Sequence, residues 1–141
     1  MKDALIVSPL RTPIGKFGGA LAPLTADQLA ATLIQTLMAR LDVPPASLDE
    51  VIVAQSYASS EAPCMGRYAA LAAGLPIEVP GYTLDRRCGS GLQAIISAAQ
   101  AIALGDADAA IGAGAENMSR GLYVSNVPRW GQKMGDFKFA D

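Results

Sequence analysis

Ala94-Ile95-Ile96-Ser97-Ala98-Ala99-Gln100-Ala101-Ile102-Ala103-Leu104-Gly105-Asp106-Ala107-Asp108-Ala109-Ala110-Ile111-Gly112-Ala113-Gly114 holds the pattern that decides the fold. Its first half belongs to a helix predicted over Cys88 to Leu104. Gly105 stops that helix, glycine being the residue that takes the left-handed conformation after a last turn most readily. Its second half, Ala109 to Gly114, reads as a strand of small residues. Inside the helix Gln93, Ser97 and Gln100 fall at i, i+4 and i+7 and share one narrow stripe, while Leu92, Ile95, Ile96, Ile102, Leu104 and the alanines cover the rest. A helix apolar nearly all round is buried nearly all round. One sheet covers one side only. Leaving the far face in water forfeits about 1.5–3 kcal/mol per Leu or Ile out of a total stability of roughly 5–15 kcal/mol. The pattern therefore calls for a second layer, from a continuation of the chain, a second subunit or both.

Working outward, strands alternate with helices. Ala4-Leu5-Ile6-Val7 is a short apolar run ended by Ser8-Pro9 and is read as a buried strand. Arg11 to Leu24 is rich in Gly and Pro and is read as a long loop. Thr25-Ala26-Asp27-Gln28 has the form of a capping box, followed by Leu29, Leu33, Ile34, Leu37, Met38 and Leu41 at helical spacing. Pro44-Pro45 ends that helix. Val51-Ile52-Val53-Ala54 is a second strand, Pro63 to Ala73 a helix closed by Gly74, and Gly81-Tyr82-Thr83-Leu84 a third, weaker strand. This alternation points to an α/β fold with a mainly parallel sheet.

Composition limits the function. The 141 residues carry 17% charged and 51% hydrophobic side chains, against a typical charged share of about 25%, so a disordered tail is excluded. The net charge of −2 argues against a nucleic-acid partner. The longest apolar stretch, 94–115, is interrupted by Gln100, Asp106 and Asp108, and no membrane span is expected. The N-terminus lacks the form of a secretory signal, which makes the cytoplasm the default location. There is no histidine, which removes Ser-His-Asp and Cys-His pairs and most zinc sites from this chain. Two cysteines, Cys64 and Cys88, make neither a disulfide framework nor a metal cluster.

Asp85-Arg86-Arg87-Cys88-Gly89-Ser90-Gly91-Leu92-Gln93-Ala94 is the chemical centre. Gly89 and Gly91 cost about 1 kcal/mol each inside a helix. At a strand-to-helix junction they permit a tight turn and close backbone approach to a ligand. A cysteine there feels the positive end of the helix dipole and free N–H groups, which favour thiolate. The competing reading is a buried structural cysteine beside a Gly-rich turn. Cys64, in Pro63-Cys64-Met65, also stands near a helix start and is read as structural.

Four stretches, in order, resemble the thiolase family of acetyl-CoA acetyltransferases and 3-ketoacyl-CoA thiolases. They are Arg11-Thr12-Pro13-Ile14-Gly15; Arg67-Tyr68-Ala69-Ala70 leading to Ala73-Gly74-Leu75-Pro76; Cys88-Gly89-Ser90-Gly91-Leu92-Gln93-Ala94; and Gly105-Asp106-Ala107-Asp108 running to Gly114-Ala115-Glu116-Asn117-Met118-Ser119. The resemblance implies a five-layer α-β-α-β-α fold of which this chain supplies most of the N-terminal half. It implies that Cys88 is the nucleophile acylated by an acyl-CoA, with its backbone N–H helping to hold the oxyanion. Coenzyme A and acyl-CoA are then substrates, with no metal and no tightly bound cofactor. The family's activating histidine, second cysteine and water-holding asparagine lie in a later portion, so the chain alone is expected to be inactive. Partners implied are that C-terminal portion and further copies, as a homodimer or tetramer. Asp85 stands where many members have Asn, and Gln55-Ser56-Tyr57 with Ser59-Ser60-Glu61 replaces a more usual Gly-Asn stretch. Arg11 is read as anchoring loop carbonyls, and Glu116 and Asn117 as interface or supporting groups.

Residues 1–118 are read as an incomplete N-terminal domain and 119–141 as the start of the family's loop domain. That tail holds Tyr123, Trp130, Phe137 and Phe139 and carries a charge of +2 (Arg120, Arg129, Lys133 and Lys138 against Asp136 and Asp141), which suits CoA phosphates or a solvated loop. It looks unfinished at Asp141. Two other functions fit the sequence: an inert truncated or split subunit with an assembly role, and a ketoacyl synthase-like condensing enzyme.

Overall fold

The structure, a computed structural model, describes residues 1–125 and 131–141. Helix α1 spans Ala26–Leu41, strand β1 Glu50–Ala54, helix α2 Met65–Ala72, strand β2 Gly81–Leu84, helix α3 Ser90–Leu104 and strand β3 Ala110–Gly114. Short 3-10 turns lie at Pro45–Ser47, Arg87–Gly89 and Met118–Arg120. The sheet is parallel, in the order β2-β1-β3. Among the described residues no helix is long and apolar enough to cross a membrane.

β1 is the centre of the sheet and loses water on both faces, which is why Val51-Ile52-Val53-Ala54 reads as a continuous apolar run and not an alternating one. Val51 and Val53 face a core built with Ala30 and Ile34 of α1, Met65 and Ala69 of α2, and Ile111 of β3. Ile52 and Ala54 face the opposite side, against Ala94 and Ala98 of α3. The result is three layers: α1 and α2, the sheet, then α3. In α1 the face that touches the core is Ala26, Ala30, Ala31 and Ile34, with Leu37 and Met38 half-buried beside it. Small residues at the contact let α1 approach closely, and the expected leucines Leu29 and Leu33 flank that line. The Gln28 side-chain oxygen accepts from the Thr25 N–H at 2.9 Å, one arm of the capping box. α1 ends at Leu41, with Asp42 in the left-handed conformation, before the two prolines are reached.

Two glycines set the layer spacing. A Cβ on Gly66 would stand 2.3 Å from the Tyr82 carbonyl oxygen and 2.4 Å from that of Val51. A Cβ on Gly112 would stand 2.9 Å from the Ala94 carbonyl oxygen. α2 and α3 therefore lie directly on strand backbone.

Ala4–Val7 does not form the expected strand. Its backbone pairs with no strand among the described residues, and Leu5, Ile6 and Val7 are exposed. Both edges of β1 are taken by β2 and β3, and the segment does not add to the outer edge of either strand among the described residues. Among the described residues the segment is held near its start, where the Lys2 N–H donates to the Ala103 carbonyl at 3.1 Å and Lys2 pairs with Asp108 at 2.7 Å. The far face of α3 is bare, with Leu92 66% and Leu104 70% exposed and Ile95 and Ile96 more than a third exposed.

Candidate active site

Parallel strands deliver their loops to one edge. Ala54 pairs with Leu84 on one side and Gly114 on the other, so 55–57, 85–88 and 115–117 all leave from the carboxyl ends of neighbouring strands. In open α/β sheets this edge is where ligands bind.

Cys88 sits there and is exposed. It lies in the 3-10 turn Arg87–Gly89, which runs directly into α3, and not within the helix as expected. The tight turn does not come from the glycines either. Gly89 has φ −85, and Gly91 is not among the residues with positive φ. The left-handed residue is Arg87, with φ +49. An arginine there costs on the order of 1–3 kcal/mol and persists only where surrounding bonds hold it. Those bonds are numerous. The Asp85 carboxylate accepts from the Arg87 N–H at 2.8 Å and from its guanidinium at 2.9 Å. The guanidinium also donates to the Ser56 carbonyl at 2.6 Å. The Arg87 carbonyl accepts from the Ser56 hydroxyl at 2.9 Å, the Ser90 hydroxyl at 2.5 Å and the Ser90 N–H. Ser90 is buried and its oxygen accepts from the Arg86 N–H at 2.6 Å. The space above Gly91 is open, with nothing within 4 Å of an added Cβ.

Glu116 and Asn117, at the end of β3, brace loops. Glu116 Oε2 accepts from the backbone N–H of Ser56 at 2.8 Å and of Tyr57 at 3.2 Å. The Asn117 amide donates to the carbonyls of Leu21, Ala22 and Leu24 at 3.2, 3.3 and 2.6 Å. The N-terminal loop is thus held from β3. Arg11, expected to anchor it, is exposed and donates only to its neighbour Thr12 among the described residues. Cys64 caps α2, and its thiol donates to the Gly81 carbonyl at 3.3 Å, a structural contact away from the turn that carries Cys88.

Beside these loops is a cavity of about 140 Å³, lined by Gln55, Tyr57, Ala62, Met65, Glu116 and Arg120 among others. Gln55 is 5% exposed and its Oε1 is buried with no hydrogen-bond partner among the described residues. Arg120 pairs with Glu61 across the rim, its Nε donating at 3.2 Å, and holds the Glu61 carboxyl below the ordinary glutamate range. In the tail, Val124 and Ala140 exchange two backbone bonds of 2.8 Å in an antiparallel bridge, and Tyr123, Phe137 and Phe139 are exposed. Arg129 and Trp130 lie outside the described residues.

Sequence reasoning located Cys88 but missed Ser56 and Arg87 as a pair. They are 31 residues apart, and no local pattern signals their contact.

Comparison with known proteins agrees with this fold. The chain matches the thiolase N-terminal domain family over residues 4–141. It is 43% identical over its whole length to an acetyl-CoA acetyltransferase of Cupriavidus necator, and 42% identical over 99% of the chain to a β-ketothiolase of the same organism. It is also 42% identical to a probable acetyl-CoA acetyltransferase of Escherichia coli. It spans 36% of the length of each of these relatives. The crystal structure of the Bacillus anthracis acetyl-CoA acetyltransferase superposes with a TM-score of 0.88 at 42% identity, covering 94% of this chain and 34% of that one. On sequence and on fold alike, this chain belongs to the thiolase family and corresponds to its N-terminal domain.

Proposed function

We propose that this chain carries the nucleophile of an acyl-CoA acyltransferase, a thiolase that makes or cleaves 3-ketoacyl-CoA through an S-acyl Cys88 intermediate. The observation that carries this reading is the exposed Cys88 thiol at the carboxyl edge of the parallel sheet, in a turn held by three hydrogen bonds to the preceding carbonyl. The Cys88 thiolate adds to the thioester carbonyl carbon of an acyl-CoA, the carbon–sulfur bond to CoA breaks, and CoA leaves with a proton. In synthesis, an acetyl-CoA that has lost an α-proton to a base attacks the acyl carbon, forming the new carbon–carbon bond and releasing the Cys88 thiolate. Cleavage is the reverse, with CoA as the acceptor. One thioester is exchanged for another, and no oxidant or reductant enters the balance.

The base and the proton acceptor for Cys88 are assigned to a C-terminal thiolase portion, because this chain has no histidine. Residues 1–118 form the N-terminal domain proper, and 119–141 begin the loop domain whose basic charge faces CoA phosphates. Assembly as a homodimer or tetramer belongs to the same reading.

The test is acetyl-CoA incubated with the chain together with that C-terminal portion, followed by peptide mass spectrometry. Acetylation on Cys88 is expected. Cys88→Ser is expected to lower acyl transfer by about three orders of magnitude or more while leaving the melting curve unchanged, since the side chain is exposed. The 141-residue chain alone is expected to show no turnover. Equal alkylation rates for Cys64 and Cys88 in the assembled protein would overturn the assignment in favour of an inert assembly subunit.

A further inference from the structure

We propose that Ser56 is a positioning residue that aims and polarises the Cys88 backbone N–H, and that Glu116 holds Ser56 in place to do so. The inference rests on Cys88 being the acylated nucleophile. Its basis is the peptide unit between Arg87 and Cys88. That unit is planar and trans, so its carbonyl and its N–H point in opposite directions, and whatever fixes one fixes the other. The Arg87 carbonyl is fixed by the Ser56 hydroxyl at 2.9 Å, together with the hydroxyl and N–H of Ser90. Each bond accepted by that oxygen pulls electron density toward it and makes the N–H on the other side of the same peptide a stronger donor.

Ser90 belongs to the turn itself, four residues from Arg86, and moves with it. Ser56 comes from the loop that follows β1, 31 residues away, and anchors the peptide to the end of that strand. It is itself anchored on two sides. Its N–H donates to Glu116 Oε2 at 2.8 Å, and its carbonyl accepts from the Arg87 guanidinium at 2.6 Å. A chain of bonds therefore runs from the end of β3 through the end of β1 to the peptide before the nucleophile. It holds Arg87 in its left-handed conformation, with φ +49.

An N–H aimed at an oxyanion affects acylation, where a carbonyl oxygen becomes negative, and does not affect alkylation, where none does. The experiment uses this difference, in the chain with its C-terminal thiolase portion. Acetylation of Cys88 by acetyl-CoA and its alkylation by iodoacetamide are each timed in wild type, S56A, S56T and S56V. Losing the hydroxyl (S56A, S56V) is expected to slow acetylation by about tenfold, less than the loss of a whole oxyanion donor, with alkylation within about twofold of wild type. S56T keeps the hydroxyl and is expected to match wild type in both. S56V, which matches threonine in shape, separates the hydroxyl from packing should S56A fold poorly. Equal slowing of acetylation and alkylation, or acetylation unchanged in S56A and S56V, overturns the inference. Absence of acetylation on wild-type Cys88 overturns the nucleophile reading itself.

Discussion

At the scale of single residues, Asn117 does more than its place after a strand suggests. Its amide serves three backbone carbonyls of the N-terminal loop, so a single side chain joins residues 21–24 to the end of β3. Asn117→Ala removes those donors and is expected to cost about 1–3 kcal/mol, seen in urea melts as a lower midpoint at unchanged slope. Asn117→Asp is expected to cost more, because a carboxylate would then face carbonyl oxygens. Stability of the aspartate variant above that of the alanine variant would show that the amide is not the tie. The same scale shows why Cys64 and Cys88 differ. One thiol is engaged with the Gly81 carbonyl at the cap of α2, and the other is open to solvent on a turn built around it.

At the scale of elements, the spacing of α3 over the sheet depends on Gly112. A methyl at that position meets the Ala94 carbonyl and the Ile95 Cα, both at 2.9 Å, and backbone cannot step aside as a flexible side chain can. Gly112→Ala is expected to destabilise the fold by about 1–3 kcal/mol, and Gly66→Ala by more, since its contacts are closer. A thermal melt of each variant checks the order. The tie between the loop before α2 and the turn 118–120 responds to pH. Arg120 lowers the Glu61 carboxyl from its ordinary 4.5, so the pair's contribution is complete above that value in the folded protein. It is lost as pH falls through the lowered value, where Glu61 becomes neutral. Acid titration is therefore expected to loosen residues 118–125 in wild type only once pH falls below the ordinary glutamate value. Glu61→Gln should show this loosening already at neutral pH, as read by amide exchange.

At the scale of the molecule, the outer face of α3 and the run Leu5-Ile6-Val7 are apolar surfaces that stand in water among the described residues. Contiguous patches of this kind mark surfaces that bind something. The 141-residue chain alone is expected to bind a dye such as ANS and to self-associate. Leu92→Gln with Ile96→Lys should reduce both without lowering the melting temperature, because neither side chain packs in the cores of this chain. In the chain with its C-terminal portion, the same double variant should lose assembly. A fall in the melting temperature of the chain alone would show instead that these side chains already have partners within it.

Much of this was legible in the residues themselves. The strands at 51–54 and 81–84, the three helices, the glycine stops at 74 and 105, and the unpartnered face of α3 all follow from local pattern, because periodicity and turn chemistry act over a few residues. The string from Cys88 to Ala94 pointed to the family for the same reason. What pattern could not give depends on neighbours far along the chain. Ala4–Val7 has strand composition, yet it pairs with no strand among the described residues. The left-handed residue of the turn is Arg87 and not a glycine, since bonds from Ser56, Asp85 and Ser90 outweigh its intrinsic preference. Glu116 and Asn117 acquire their roles only when the parallel register sets 54, 84 and 114 side by side. Composition and spacing determined which elements form and where the thiol lies, and tertiary packing alone decided which backbone groups meet around it.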